Sequence, residues 1–108
     1  ATVTKLDDMS VKATVAWSLT AEDADAETKT GNEGKMVSGT EYLTNALKVN
    51  TKSLGANPVE VDSGSAIAAC SDAATPVDLV YDQALSVAND AAGTYSITVL
   101  YTLSEAGT

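Results

Sequence analysis

The chain has no histidine, no arginine and no phenylalanine, and only one tryptophan and one cysteine. Without imidazole, the commonest general acid–base is missing, and neither Cys70 nor any serine has the usual partner that would activate it as a nucleophile. No Ser–Lys pair or carboxylate pair is marked by its spacing, so no catalytic residue and no cofactor is assigned and the chain reads as non-enzymatic. Six lysines against fifteen acidic residues leave a net charge of −9. That balance lacks the basic surface needed to neutralise phosphates, which argues against nucleic acid or anionic lipid as partner. No apolar run approaches the roughly 18 residues of a membrane-spanning helix, so no membrane insertion is expected. A single cysteine excludes an internal disulfide. Cys70 ends the small apolar stretch Ala66-Ile67-Ala68-Ala69-Cys70 and is expected to be a reduced, buried thiol with no part in assembly.

Against these absences stand two stretches of strict alternation. Met9, Val11, Ala13, Val15, Trp17 and Leu19 are apolar, with polar Ser10, Lys12, Thr14, Ser18 and Thr20 between them. Near the other end, Tyr95, Ile97, Val99, Tyr101 and Leu103 alternate with Ser96, Thr98, Thr102 and Ser104. A period of two marks a strand with one buried and one wet face. At 108 residues the chain is long enough for one domain with one core. The fold expected is all-β: a single immunoglobulin-like antiparallel β-sandwich of six or seven strands. Val11, Val15, Trp17, Leu19, Tyr95, Ile97, Val99 and Leu103 are expected on its buried faces.

Residues 1–8 read as an arm, flexible or available as a donated strand, with Val3 and Leu6 its apolar residues and Asp7-Asp8 at its end. A first long strand is expected to about Thr20. Ala21 to Lys35 reads as an exposed acidic loop, with a short helix over Ala21 to Lys29 capped by Thr20 as the alternative. Further strands are expected over Glu41 to Lys52, Val59 to Val61 and Val77 to Asp82, with Leu85 and Val87 continuing the last or beginning its partner, and Ala66 to Cys70 is a third short apolar piece. The turns expected between them are Leu54 to Pro58, Asp62 to Ser65 and Asn89 to Gly93.

Calcium is the one metal the composition allows, because the chain offers oxygen ligands and no imidazole. Asp23, Asp25 and Glu27 are spaced like the opening of a calcium loop, but Thr28 and Gly34 occupy positions where an EF-hand needs glycine and a bidentate acid. A hydrated acidic loop is the favoured reading, and no metal residue is assigned. Trp17, Tyr42, Tyr81, Tyr95 and Tyr101 form the only aromatic set. Rings that complete the apolar alternation, as Trp17, Tyr95 and Tyr101 do, belong to a core before they belong to a sugar-stacking surface.

The segment Gly93-Thr94-Tyr95-Ser96-Ile97-Thr98-Val99-Leu100-Tyr101-Thr102-Leu103-Ser104 resembles the closing strand of secreted β-sandwich surface proteins, including pilus and fibre subunits and the WxL cell-wall proteins of Gram-positive bacteria. Tyr95, Val99, Tyr101 and Leu103 fall on the alternate positions of the WxL pattern, with Tyr101 where that family has tryptophan, and Trp17-Ser18-Leu19 looks like its N-terminal Trp-x-Leu. The resemblance implies a secreted, surface-associated sandwich. The expected function is a structural subunit of an extracellular or cell-surface assembly, a pilus-like filament or surface layer, pairing strands with copies of itself. A virion capsid decoration or fibre domain is the alternative, and a carbohydrate-binding module the third.

Overall fold

A computed structural model describes residues 2–67 and 74–106. The fold is all-β with antiparallel sheets. Among the described residues nine strands run in chain order: β1 Thr2–Val11, β2 Trp17–Asp23, β3 Val37–Ser38, β4 Glu41–Tyr42, β5 Lys48–Val49, β6 Lys52–Ser53, β7 Val59–Gly64, β8 Thr75–Ala84 and β9 Val99–Glu105. One sheet has the order β1-β8-β5-β6, the second β7-β2-β9, and β3-β4 form a small ribbon. The core takes Val11, Val49, Val77 and Leu79 from the first sheet and Trp17, Leu19, Ala21 and Val61 from the second, so the two sheets bury their apolar faces against each other.

β2 shows how the pattern works. Trp17, Leu19, Ala21 and Asp23 are buried while Ser18, Thr20 and Glu22 are half-exposed. The alternation from Met9 to Leu19 is nevertheless not one strand. Residues 12–16 carry the chain from the first sheet to the second, between β1 and β2. Val15, expected on a buried face, lies in that crossover and is 45% exposed. Residues Thr2 to Asp8, read from the sequence as an arm, form most of β1 and pair with β8 of the same chain, from Thr2 opposite Ala84 to Asp8 opposite Asp78.

Further along, the expected strand over Glu41 to Lys52 is divided into β4, β5 and the start of β6, and β7 continues through Asp62, Ser63 and Gly64, where a turn was expected. The alternative helix is replaced by the continuation of β2, with Thr20 inside the strand and only one 3-10 turn at Ala26–Thr28. Cys70 lies outside the described residues.

Asn50 and Thr51, both at positive φ (49° and 69°), make the two-residue turn between β5 and β6. The Asn50 side chain extends the work of β5. Its Oδ1 accepts the Val80 N–H at 2.8 Å, and its Nδ2 donates to the carbonyls of Asp78 and of Val61, each at 3.1 Å. One amide therefore continues the ladder along β8 and reaches the opposite sheet at β7. Asp78 and Val80 direct their backbone groups to this side of β8. The missing N–H of Pro76 falls on the same side, beyond the end of β5, so the proline costs no ladder bond.

Candidate functional site: the free edge of β9

β9 ends the sheet β7-β2-β9, and among the described residues no strand lies on its outer side. Its pairing with β2 sets Leu19 opposite Leu103, Ala21 opposite Tyr101 and Asp23 opposite Val99. Opposed residues share a face, so Val99, Tyr101 and Leu103 point their side chains inward with the buried residues of β2. Backbone direction follows from the ends of the strand. Ala24 N–H donates to the Thr98 carbonyl and Ala106 N–H to the Ala16 carbonyl, each at 3.0 Å. The even-numbered residues of β9 thus face β2. The N–H and C=O groups of Val99, Tyr101 and Leu103 face the open side.

This edge is poorly guarded. No charged side chain occurs from Tyr95 to Ser104, and Leu100 and Leu103 are 47% and 49% exposed on opposite faces of the strand. Leu103 was expected to be buried. Leu103 is instead exposed, and Tyr95, Ile97 and Val99 are only half-buried. The edge of β1 differs: Lys5 and Asp7 stand on its inward side and Asp8 on its outer side, opposite Tyr81, Leu79 and Asp78. Charges placed inward on an edge strand discourage another strand from docking. At the other edge of β9's own sheet, β7 carries Glu60 and Asp62.

Between the edges of β1 and β9 lies a cleft of about 270 Å³ lined by Lys5, Asp7, Met36, Tyr81, Ile97 and Val99. The hydroxyls of Tyr81 and Tyr101 hydrogen-bond to each other across it. Burial, the Tyr81 contact and the Asp7 charge all push the Tyr101 phenol above its ordinary value.

The sequence-predicted acidic loop is built differently from either a calcium loop or a hydrated one. Asp23 is buried at the end of β2, and its Oδ2 meets Lys29 Nζ at 2.9 Å and the Gly34 N–H at 2.9 Å, while its Oδ1 accepts the Asp25 N–H at 3.1 Å. Lys29, 5% exposed, also donates to the Lys35 carbonyl. Burial alone would raise the Asp23 pKa, but the Lys29, Gly34 and Asp25 contacts outweigh it and the net shift is downward. Asp25 and Glu27 are exposed and do not join Asp23. Among the described residues no three acidic or sulfur side chains converge. Gly34, at φ +83°, is tied to this network, because a Cβ there would lie 2.0 Å from the Leu54 carbonyl oxygen. Sequence reasoning could not see this buried pair: nothing in the spacing of Asp23 and Lys29 distinguishes it from surface charges.

Of the aromatic set, Trp17 is 2% exposed, with no face open to a sugar ring. The Tyr95 hydroxyl donates to the Ala91 carbonyl. A larger apolar groove of about 540 Å³ runs past Val3, Leu43, Leu85, Val87 and Tyr95. The carboxylate on its wall, Asp90, is occupied by the Ser86 and Thr44 N–H groups and the Thr44 hydroxyl, which hold its carboxyl below the ordinary range. Gln83 Oε1, from the same wall, is buried without a partner among the described residues. The groove offers apolar contact and neither a free acid–base group nor a nucleophile with an activating base.

No protein-family model, curated protein or solved structure matches the chain.

Proposed function

We propose that this chain is a non-enzymatic structural subunit that associates with copies of itself by strand pairing. The setting proposed is an extracellular or cell-surface assembly, such as a pilus-like filament or surface layer. One observation carries the self-association: β9 presents the backbone groups of Val99, Tyr101 and Leu103 at an edge with no charge before Glu105. An edge of this kind is a template for another strand, and folded chains that stay monomeric protect it with charges, proline or a bulge. The two other edges with strands of six or more residues, β1 and β7, carry such charges. The buried carboxylate of Asp23 and the partnered carboxylate of Asp90 are engaged in holding loops, which supports a structural rather than a chemical role.

The test is sedimentation velocity over a range of concentrations, with electron microscopy of the same material. The intact chain is expected to associate reversibly. Leu100→Lys with Thr102→Lys adds charge to the outer face of β9 without entering the core and is expected to weaken association at least tenfold, whereas Ser53→Thr on β6, which alters no charge, leaves it unchanged. A chain that remains monomeric at every concentration overturns the proposal.

A further inference from the structure

We infer that β9 is self-complementary: two copies pair their β9 strands antiparallel about a twofold axis at Tyr101, giving a continuous sheet of the order β7-β2-β9-β9-β2-β7. This rests on the strand-pairing function above and specifies the partner edge and the register.

The register follows from parity. A twofold axis perpendicular to the sheet keeps inner faces on the inner side, so each residue must meet a partner residue of the same parity. Three centres leave most of the strand paired, Tyr101, Thr102 and Leu103. Centred at Tyr101, Tyr101 meets the partner's Tyr101, Val99 meets the partner's Leu103, and Leu100 meets the partner's Thr102. The odd-numbered residues are those whose N–H and C=O groups face the open side, so each of those pairs exchanges two hydrogen bonds. Leu103, half-exposed in the single chain, gains the partner's Val99 as a neighbour, and within the paired span Val99 to Leu103 no charged residue lies opposite an apolar one, Glu105 falling opposite the partner's Ile97, outside β9. Centred at Thr102, Val99 would instead face the partner's Glu105 inside the strand, and centred at Leu103, Tyr101 would, each setting a carboxylate beside an inward-facing apolar side chain. Head-to-tail pairing of β9 onto β1 is disfavoured in the same way, because it would bring Lys5 and Asp7 against the inward residues of β9.

The charge of the chain adds a distinguishing sign. Each copy carries −9, while the paired strands contribute no ion pair. Added salt screens the repulsion between copies and breaks nothing at the contact, so association should tighten as salt is raised.

The test uses the full chain with Cys70→Ser, so that introduced thiols alone report, and two further variants, Leu100→Cys and Thr102→Cys. Both positions are on the outer face of β9, one half-exposed and the other exposed. Directly opposite residues of a non-hydrogen-bonded pair lie about 4.5 Å apart at Cα, within the span of a disulfide. Oxidation of the two variants mixed together is expected to give a covalent dimer containing one copy of each, and neither variant alone should cross-link. In dilute solution sedimentation should show the dimer, the unit from which a filament or layer would be built through other surfaces, and its formation should tighten severalfold between low and high salt. Cross-linking of Thr102→Cys by itself would overturn the register, and failure of the mixed pair to cross-link where the chain associates, or association weakened by salt, would overturn the twofold contact, each leaving self-association intact. A monomer under all conditions would overturn this inference together with the proposed function.

Discussion

The indole of Trp17 lies against the Cα of Gly64. A methyl group built on Gly64 would stand 2.4 Å from Trp17 Cζ2 and 2.7 Å from Nε1. The two residues are direct partners in the β2–β7 pairing, so the bare glycine is the space in which the ring sits. Because Trp17 is 2% exposed and has the core around it, it cannot swing aside. Gly64→Ala is expected to destabilise the fold by about 1–3 kcal/mol through overpacking. A lower urea midpoint with red-shifted tryptophan emission checks it.

Asp23 and Lys29 give a second prediction. Asp23→Asn leaves a buried ammonium without its counter-charge and is expected to cost about 3–5 kcal/mol. The pH dependence has a definite sign. Since the Asp23 pKa is lowered on folding, its contribution is present above the ordinary carboxylate value of 3.8 and is lost as pH falls through the folded-state value. Thermal melts between neutral pH and pH 2 should show acid destabilisation in the intact chain and a shallower fall in Asp23→Asn.

The β5–β6 turn should respond with opposite signs at adjacent positions. Thr51 is a β-branched residue at φ +69°, a region that glycine enters at little cost. Thr51→Gly is expected to stabilise by about 0.5–1 kcal/mol, the relief of that strain less the added freedom of the unfolded chain. Asn50→Asp removes both Nδ2 donors and sets a carboxylate against the Val61 and Asp78 carbonyls, for a loss of about 1–3 kcal/mol. Denaturant titration of both variants decides.

The tyrosine pair should be visible in alkali. Because the Tyr101 phenol is pushed above its ordinary value of 10.0, first by burial and then by Tyr81, the stability it supplies is complete below that value and lost as pH rises beyond it. Absorbance titration of the folded chain should show a phenol that ionises late, and Tyr101→Phe should abolish that step. If all four tyrosines titrate together in the intact chain, the Tyr81–Tyr101 contact is wrong.

What could be read from sequence divides along physical lines. Val11, Trp17 and Leu19 are buried as their alternation implies, because period two reports faces directly. Val15 carries the same pattern and is exposed, because alternation does not mark where a chain leaves one sheet for another. Leu103 fails for a related reason: a face is buried only where a second layer covers it. The bare edge of β9 was visible as an uncharged stretch, but its place at the rim of a sheet was not, since strand order is a property of long-range pairing. The amide bridge made by Asn50 left no trace either, because it depends on strands from three parts of the chain meeting at one side chain.

The alternation of β9 separates two kinds of evolutionary freedom. Val99, Tyr101 and Leu103 turn their side chains to the interior and their main chain to the outside. Selection on those side chains acts through the fold, whereas the hydrogen bonds they offer to a neighbour are the same for nearly any residue that keeps the strand. In the proposed pairing, adhesiveness at this rim is therefore inherited with the architecture, and discrimination between partners falls to the outward-facing side chains of Leu100, Thr102 and Ser104. A lineage could retune what this edge accepts by changing those three positions while its interior stays as it is.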